Sequence, residues 1–498
     1  MRTGAHEIAS NLLCFRVEAD WFLQEPQGAG ILRCGTCNPI GSTYSKPKAA
    51  SDNLKAGREI FPELGEYEWP QRGGASEVKS LTYQNNLFLR GVEPEVGKVR
   101  EIAKHLAGKY PKTEVPSWVE NFCKIGRVNL DYYNYVISMV KRDSSPGYPW
   151  GLMYRDKEQA LLKAGEEIYD MVNYRLKCYL KLPFQFYTDS KPPGIAAAVD
   201  FVKKGFVDPI RLFIKNEPHS IAKIRDGRFR LVSSVSIVDE IVERLLCGEQ
   251  NQAEIENWLE CPSKPGIGLS SDEQTNSLYQ SVKQWLDGGH FKDSDVSGWD
   301  FGFKRWMYYL DYVRRVHLVS GPYQLQFAQM LKGRFVCLGR AVFVTSDGAA
   351  FAQTFDGIMK SGSYLTSSTN SASRVGLAYL LGANYAMAMG DDCGESNPMG
   401  SQRLKELYIQ HGVRMSDLHD CSDNFEFCSH QFYSDRAVPK NFWKGAFRLI
   451  SKEPNDVELQ QFLLEYRHYD AVTLKRFISV LVNLPGWCGI KSTIEHDD

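Results

Sequence analysis

Two adjacent aspartates, Asp391 and Asp392, follow an apolar stretch in the segment YAMAMGDDCG at 385–394. Neighbouring carboxylates repel each other, and the apolar residues before them supply no positive charge. The stretch alternates large Tyr and Met side chains with Ala, which predicts a buried strand with two apolar faces. Because CGESN is suited to return as a second strand, we predict a hairpin whose tip presents both carboxylates. The alternative is an ordinary acidic surface turn.

A second pair of carboxylates lies upstream, in KDSDVSGWDFGF, where Asp295 ends a strand-like segment and Asp300 follows it. Carboxylate oxygens suit Mg²⁺, which usually takes one or two of them together with substrate phosphates. If Asp295 meets Asp391 in the fold, the pair would hold two divalent ions for in-line displacement at phosphorus. The ions would also cancel the repulsion at 391–392. The alternative for Asp300 is the N-cap of the following helix.

Small polar residues form a third candidate, in KSGSYLTSSTNSASRVGLAYLLG. Ser361 and Gly362 make a small-residue turn, and we predict a helix that starts near Thr366 and ends before the glycine of LLG. Spacing by four places Thr366, Asn370 and Arg374 on one face. Such a face can hydrogen-bond a sugar hydroxyl, although a solvated helix face is the alternative.

The fourth candidate is a concentration of positive charge. Residues 203–230 carry eight Lys and Arg residues against three acidic ones, in a chain whose net charge is −1. In GRFRLV, alternation would project Arg228 and Arg230 to one side of an extended segment. Beside a metal site these side chains would bind triphosphate oxygens and a nucleic-acid backbone. The alternative is a solvated charged surface.

The elements that must position these residues alternate irregularly between helical and strand patterns, which indicates a mixed α/β or α+β architecture. FGFKRWMYYL places Phe303, Trp306, Met307 and Leu310 at the spacing of an amphipathic helix. A chain of 498 residues, of which 43% are hydrophobic, can form several subdomains that share a large interior. Its near-neutral charge argues against a globally basic nucleic-acid-packaging protein.

Residues 38–57 contain few large apolar side chains and are predicted to form a flexible linker. The twelve cysteines are scattered, which indicates reduced thiols in a cytosolic-type compartment. Cys34 and Cys37 form a lone C-x-x-C, and a zinc site there needs two further ligands, for which Cys14 and His6 are nominal candidates. The sequence contains no uninterrupted apolar run of about 18 residues, so we expect no intrinsic membrane segment.

Taken together and in this order, these segments resemble the motifs of positive-strand viral RNA-dependent RNA polymerases. The basic segment resembles the finger motif that escorts nucleotides, and DVSGWD, SGSYLTSSTN and GDD resemble the three palm motifs. FEFCSHQF is similar to the primer grip, and SSPGYPWG is similar to the template-entry motif. The resemblance covers roughly residues 66–450. GEYEWPQRGGASEVKSL and SGSYLTSSTNSASR are most similar to sobemovirus-like polymerases, including barnavirus-related ones.

The resemblance implies a role for each matching residue. Asp295 and Asp391, assisted by Asp392, would act in catalysis by ligating two Mg²⁺ ions, or Mn²⁺ in their place. The residues that would recognise the incoming nucleotide and its 2′-hydroxyl are Asp300, Ser361, Gly362, Thr366 and Asn370. The remaining positions are the triphosphate-binding Lys215, Arg228 and Arg230, the primer-grip Cys428 and Ser429, and the template-guiding Ser145, Gly147 and Tyr148.

The resemblance also implies an α+β right-hand fold with fingers, a palm built on an RRM-like antiparallel sheet with helices, and a small helical thumb. The expected divisions are an N-terminal extension and linker at 1–60, fingers at 61–290 with a palm segment near 233–260, palm at 291–312, fingers at 313–350, palm at 351–440 and thumb at 441–498.

The implied function is template-directed synthesis of viral RNA from ribonucleoside triphosphates, in replication and transcription. The expected partners are the RNA template and nascent RNA, with a protein primer and other viral replication proteins as further candidates. The expected location is the host cytoplasm, with membrane-associated replication complexes reached only through partners. The alternatives are a reverse transcriptase, which usually carries a bulky aromatic residue where Asp300 stands, and a non-catalytic RNA-binding viral protein.

The sequence departs from the family pattern between the third palm motif and the primer grip. A lysine there usually acts as general acid for pyrophosphate, but RMSDLHDCSDN contains none. The candidates to replace it are His419, Arg414 and the more distant Lys405. The short stretch left for the thumb, 441–498, leaves open whether initiation is de novo or protein-primed.

Overall fold

The computed structural model describes residues 30–40, 51–187 and 195–487. Its helices are α1 Ser51–Ile60, α2 Gly74–Leu87, α3 Val96–Ala107, α4 Trp118–Ile125, α5 Leu130–Ser138, α6 Lys157–Lys181, α7 Ile195–Lys203, α8 Ile221–Asp226, α9 Ile237–Glu256, α10 Asp272–Asp287, α11 Trp299–Gly302, α12 Arg305–Leu318, α13 Gln324–Gly339, α14 Thr366–Leu380, α15 Ser401–Gln410, α16 Phe442–Ile450, α17 Asp456–Tyr466 and α18 Ala471–Leu481.

The strands are β1 Ile31–Thr36, β2 Tyr67–Glu68, β3 Thr113–Glu114, β4 Ile210–Ile214, β5 His219–Ser220, β6 Leu231–Ser234, β7 Phe291–Val296, β8 Val319–Ser320, β9 Val342–Val344, β10 Ala349–Gln353, β11 Tyr385–Met389, β12 Asp392–Ser396, β13 Met415–Cys421, β14 Phe425–Phe427, β15 His430–Phe432 and β16 Ala437–Pro439. Short 3₁₀ turns lie at Pro62–Glu66 and Trp150–Leu152.

A five-stranded sheet has the order β1-β10-β9-β4-β6. Its strands are rich in Val, Ile and Phe, and the interior strand β4 is buried almost throughout, as expected for strands covered on both faces. β1 pairs antiparallel with β10, from Ile31 opposite Gln353 to Thr36 opposite Ala349. Residues 31–36 are therefore part of the globular fold, which corrects the prediction of an N-terminal extension at 1–60.

A four-stranded sheet has the order β11-β12-β7-β13 and is antiparallel at every pairing. The helix predicted in FGFKRWMYYL is α12, and Trp306, Met307 and Leu310 are buried as its amphipathic pattern requires. Phe303 is also buried but precedes the helix, which begins at Arg305. α12 packs against α14, and α14 packs against β11. Asp295 and Asp392 lie on strands of this sheet, and Asp391 lies in the turn between β11 and β12.

Most polar side chains of α14 are buried, Asn370 and Arg374 among them, so the alternative of a solvated helix face is wrong. Thr369 donates a hydrogen bond to Asp311 at 2.7 Å, and Ser368 donates to Glu254 at 2.7 Å. Arg314 pairs with both carboxylates, at 2.6 Å to Asp311 and 2.7 Å to Glu254. The Ser and Thr residues that lower helix propensity therefore satisfy a buried ionic network between α9, α12 and α14.

The three C-terminal helices α16–α18 form a separate apolar cluster with residues 54–69. Phe61 is buried, and its ring centroid lies 5.4 Å from that of Trp443 and 5.7 Å from that of Phe477. The linker predicted at 38–57 is therefore wrong for 51–57, which belong to α1, while 41–50 lie outside the described residues. Residues 54–69 therefore complete the apolar core of the predicted thumb.

Cys34 lies on β1 and is buried, and its pKa is raised to about 12 by burial and by Cys37. The two further candidate ligands of a zinc site, Cys14 and His6, lie outside the described residues. None of the helices in the described part of the chain is long and apolar enough to span a membrane.

Candidate active site

The two adjacent aspartates lie at the tip of the hairpin formed by β11 and β12. The strands pair up to Met389 opposite Asp392, so only Gly390 and Asp391 form the turn. Gly390 has a φ of 66°, a left-handed conformation that glycine adopts without a Cβ penalty. The predicted hairpin is confirmed, and we call residues 390–392 the acidic turn.

Asp295 reaches the acidic turn from β7, which pairs with β12. Ser294 lies opposite Cys393, and one residue further along the same antiparallel pair are Asp295 and Asp392. The charge of Asp295 acts on both Asp391 and Asp392. The structure therefore brings together the carboxylates that the sequence presents in two distant segments.

The electrostatics of this cluster favour a divalent cation. Burial, and after it Asp295, raises the pKa of Asp391. Burial, then Asp391 and Asp295, raises the pKa of Asp392 to about 7. Partly dehydrated carboxylates this close together lack positive charge, and hard oxygen donors are what Mg²⁺ prefers. Over 30–40, 51–187 and 195–487 no group of three such side chains already surrounds one point.

Asp300 lies in the short helix α11 and contacts α14. Gly298 occupies the N-cap of α11 and Lys304 that of α12, so the N-cap alternative for Asp300 is wrong. Asn370 Nδ2 donates to Asp300 Oδ1 at 3.0 Å. Burial, and after it Asp391, raises the pKa of Asp300 to about 6. Asn370 Oδ1 is buried with no hydrogen-bond partner among the described residues, which leaves an acceptor for a ligand hydroxyl.

The other predicted ribose-binding residues lie at or just before the start of α14 and bond to the protein itself. Ser361 Oγ accepts a hydrogen bond from the Ser233 N–H at 3.0 Å. A Cβ on Gly362 would lie 2.6 Å from the Ser233 carbonyl oxygen, so this close approach requires glycine. Thr366 Oγ1 donates to the Lys360 carbonyl oxygen at 2.8 Å. These contacts fix the loop against β6, which follows the basic segment.

The basic residues predicted to bind a triphosphate are not a free row of cations. Lys215 and Arg230 each pair with Glu217, at 3.2 and 2.9 Å. Arg228 pairs with Asp226 at 2.9 Å. Both arginines precede β6 rather than lying on it. The positive charge of the predicted triphosphate-binding residues is therefore partly neutralised by neighbouring acids in this conformation.

Arg230 nevertheless acts on the acidic turn, because its charge opposes the rise in the pKa of Asp391 that burial causes. Sequence reasoning does not identify Glu217 as the shared partner of Lys215 and Arg230, because the residue is only one of the three acidic residues in the basic segment. Burial would raise the pKa of Glu217, but Arg230, Lys444 and Lys215 lower it to about 2. The position of Glu217, two residues after Lys215 within a basic segment, is the sequence feature that indicates such an ion pair.

The turn between β14 and β15 contains the predicted primer-grip residues. Cys428 and Ser429 both have positive φ, of 51° and 58°, as a two-residue hairpin turn requires. β14 contacts both β12 and β7, and the backbone of Cys428 lowers the pKa of Asp392 against the rise that burial causes. Glu426 N–H donates to Asp293 Oδ2 at 2.6 Å. The hairpin therefore lies directly against the acidic turn and β7.

The predicted template-guiding residues pack against the connection between β6 and α9. Gly147 has a φ of 74°, and a Cβ there would lie 2.7 Å from Ser236 Cα. Arg211 Nη1 donates to Ser145 Oγ at 3.2 Å. Tyr148 is fully buried and belongs to the main apolar core. Its ring therefore cannot touch a template in this conformation.

The three general-acid candidates are differently placed. His419 lies on β13, with Nδ1 2.9 Å from Asp293 Oδ1 on β7. Arg414 donates to the Leu87 carbonyl oxygen at 3.2 Å, and Lys405 lies on α15. Only His419 lies on the strand paired with that of Asp295, and its role stays a prediction.

Comparison with known proteins decides the family. The profile of the family described as Viral RNA-directed RNA-polymerase matches residues 160–286 and 289–443, which include the acidic turn, Asp295 and Asn370. This chain belongs to that family.

Two curated relatives place the polymerase near the sobemoviruses. It is 34% identical over 419 residues to replicase polyprotein P2AB of Southern bean mosaic virus, covering 81% of this chain and 42% of the polyprotein. It is 31% identical over 411 residues to the RNA-directed RNA polymerase of mushroom bacilliform virus, covering 75% of this chain and 95% of that protein. The predicted sobemo-like group is confirmed. The chain spans less than half the length of the replicase polyproteins it matches.

The fold is similar to that of a sicinivirus 3Dpol RNA-dependent RNA polymerase. The TM-score is 0.65 at 13% sequence identity, over 90% of this chain and 93% of that structure. This similarity confirms the predicted right-hand polymerase fold. Neither the reverse transcriptase nor the non-catalytic RNA-binding protein finds support in these relatives.

Proposed function

We propose that this polymerase copies an RNA template into RNA from ribonucleoside triphosphates, in replication and transcription of a viral genome. The observation that carries the proposal is the meeting of Asp295 with Asp391 and Asp392 beside the Asp300–Asn370 pair. The first group suits phosphoryl transfer, and the second suits recognition of a ribose. Catalysis would then depend on positioning and on electrostatic stabilisation of the transferred phosphoryl group.

The acidic residues would hold two Mg²⁺ ions, with Mn²⁺ as a substitute. When bound, the ions would stabilise the charge on the attacking and leaving oxygens. Asp295 and Asp391 are the proposed ligands, and Asp392 assists from the start of β12. The backbone of Cys428 lowers the pKa of Asp392, which supports a primer grip beside the proposed metal ligands.

Ribose selection would come from the α14 side of the site. The free Asn370 Oδ1 would accept a hydrogen bond from the 2′-hydroxyl, and Asp300 fixes the amide in that orientation by accepting from Nδ2. A deoxyribonucleotide would leave this buried acceptor unpaired, which is the stronger form of discrimination. Ser361, Gly362 and Thr366 would shape the loop beneath the nucleotide.

Triphosphate binding would fall to Lys215, Arg228 and Arg230. Two of these cations share Glu217, so an incoming triphosphate would compete with that carboxylate for them. A triphosphate carries several negative charges against the single charge of Glu217, so it would attract these cations more strongly. Arg230, which already acts on Asp391, is the cation best placed to bridge the phosphates and the acidic turn.

The nascent RNA end would rest on the hairpin turn at Cys428 and Ser429, and the template would pass the loop of Ser145 and Gly147. A protein primer and other viral replication proteins are further proposed partners. The proposed location is the host cytoplasm, with any membrane association supplied by those partners.

The proposal is tested by primer extension on an RNA template with Mg²⁺, offering ribonucleotides or deoxyribonucleotides. Asp391→Ala should lower incorporation about a thousandfold or more, because several kcal/mol of charge stabilisation at phosphorus are lost. Asp435→Ala removes an exposed acid whose one ion pair in the described part of the chain is with its neighbour Arg436, and it is the matched control. Equal extension by Asp391→Ala and the parent, or a preference for deoxyribonucleotides, would contradict the proposal.

A further inference from the structure

One buried arginine connects the helix that carries Asn370 to both strands that carry the acidic residues. Arg374 lies on α14, one turn after Asn370, and is 0% exposed. Its Nε donates to the backbone carbonyl of Asp391 at 3.3 Å, and its Nη2 donates to Ser294 Oγ at 2.5 Å. Ser294 precedes Asp295 on β7. A single guanidinium therefore contacts the acidic turn and the neighbour of the other carboxylate.

The third nitrogen of this guanidinium is fixed by a buried Tyr–Glu pair. Nη1 donates to the Tyr408 hydroxyl at 2.8 Å, and that hydroxyl donates to the Glu395 carboxylate at 3.0 Å. The guanidinium carbon lies 4.7 Å from the Tyr408 ring centroid. All three residues are fully buried. Since every nitrogen of the planar fork has a partner, the side chain has one allowed position, which a lysine could not reproduce.

A second contact from α14 holds the same turn. Ser371 Oγ accepts from the Gly390 N–H at 3.0 Å and donates to the Ser367 carbonyl oxygen at 2.6 Å. The helix therefore binds two consecutive residues of the acidic turn, through the N–H of Gly390 and the carbonyl of Asp391. Asn370, the residue before Ser371, reaches Asp300.

We propose that Arg374 is a positioning residue that holds the acidic turn and the Asp295 strand at a fixed distance from the ribose-recognising helix. The inference rests on the proposed function. Burying a cation costs free energy, and an apolar side chain would usually fill the same space at no loss of stability. Two contacts of Arg374 instead reach the backbone carbonyl of Asp391 and the side chain of Ser294, next to Asp295. A small displacement of these carboxylates would lower the rate of transfer.

A purely structural arginine provides the comparison. Arg175 on α6 is also fully buried and forked, with ion pairs to Asp208 at 2.6 Å and Asp239 at 2.8 Å. Its Nε donates to the Gly205 carbonyl oxygen at 3.2 Å. None of these partners is assigned to the site. A lysine at position 374 or 175 keeps the positive charge but lacks the planar set of N–H donors of the guanidinium group.

The test compares Arg374→Lys and Arg175→Lys in single-nucleotide incorporation, with kcat calculated per folded molecule and with RNA binding measured by fluorescence anisotropy. We expect Arg374→Lys to lower kcat about 10- to 100-fold, because a misplacement of about 1 Å has that effect. The KM for the nucleotide and the affinity for primer–template RNA should stay within about twofold, since the residues proposed to contact the nucleotide and the RNA are all retained in this variant. Arg175→Lys should leave kcat per folded molecule within about twofold.

Ser294→Ala is the second variant, because it removes one partner of Arg374 with little risk to folding. It should lower kcat about three- to tenfold at unchanged KM. Equal kcat values in Arg374→Lys and Arg175→Lys, an effect on KM alone, or an unchanged kcat in Ser294→Ala would overturn the positioning role. A parent chain that incorporates no nucleotide would instead overturn the proposed function.

Discussion

At the scale of single residues, the site pairs like charges and leaves polar atoms unsatisfied, both of which cost stability. Asp391, Asp392 and Asp300 all have pKa values raised by burial and by one another or by Asp295. Asn370 Oδ1 is buried without a partner among the described residues. Such groups persist where a ligand supplies the missing contact. A cation would satisfy the carboxylates, and a hydroxyl would satisfy the amide.

The first prediction concerns Asn370→Ala. Removal of the acceptor for the 2′-hydroxyl should reduce the preference for ribonucleotides over deoxyribonucleotides in kcat/KM about 10- to 100-fold. Template affinity should change little. Competition between the two nucleotide types in primer extension measures the effect, with the exposed Asn257→Ala as control. An equal loss of activity with both types would contradict the role of Asn370.

At the scale of elements, helices α9, α12 and α14 are joined by buried charges rather than by apolar packing alone. Asp311 of α12 accepts from Arg314, Arg315 and Thr369. Burial would raise the pKa of Asp311, but Arg314 and Arg315 hold it at about 2. Because α14 carries both the ribose-recognising residues and the contacts to the acidic turn, this network fixes the site indirectly.

The second prediction is that Asp311→Ala destabilises the fold by about 3–5 kcal/mol, because it leaves two arginines buried without their shared carboxylate. Chemical denaturation measures the change. Glu406→Ala removes an exposed acid paired with Arg403 on α15 and should leave the free energy of unfolding almost unchanged. A loss of similar size in both variants would show that burial of the network is not what matters.

At the scale of the whole molecule, residues 54–69 pack against the C-terminal helices, and the predicted fingers contact the predicted thumb. Phe61 packs between Trp443 and Phe477, so the C-terminal helices depend on an N-terminal segment. Glu217, in the basic segment, pairs with Lys444 of α16 at 3.3 Å. A movement of the predicted fingers relative to the predicted thumb would therefore change the contacts of Phe61 and the Glu217–Lys444 ion pair.

The third prediction is that Phe61→Ala destabilises the C-terminal helices by about 3–5 kcal/mol, the usual loss for a buried aromatic ring. Limited proteolysis of 441–487 and thermal unfolding measure the effect. Ile60→Ala truncates the adjacent side chain, which is 40% exposed, and serves as the control. Unchanged protease resistance in Phe61→Ala would contradict the packing role.

The fourth prediction concerns pH. Glu217 has a pKa lowered from 4.5 to about 2 by Arg230, Lys444 and Lys215, against burial. The stabilisation it contributes should therefore be complete above pH 4.5 and lost as the pH falls towards 2. Because its cationic partners are partly exposed, we expect about 1–2 kcal/mol.

Unfolding of the parent and of Glu217→Gln between pH 2 and 7 tests this prediction. The difference in unfolding free energy should be greatest near neutral pH and disappear in acid. A difference that stays constant with pH would contradict the assignment.

The sequence by itself determined the local pieces of the site. Alternation in YAMAM, the glycine of the acidic turn and the return strand predict the hairpin, because each depends on neighbouring residues only. Order and spacing of the motifs also indicated the family and which aspartate should meet Asp295. The N-cap alternative for Asp300 and the solvated-face alternative for α14 could not be rejected locally, since burial is not visible in one segment.

Tertiary structure alone decided what surrounds these pieces. The strand at 31–36, the packing of Phe61 on the C-terminal helices and the role of Glu217 all join segments far apart in the chain. Arg374 is the clearest case, because its place on the polar face of α14 was visible while its partners on β7, on the acidic turn and on α15 were not. A local pattern fixes which way a side chain points along its own element, but only the packed fold determines what it meets.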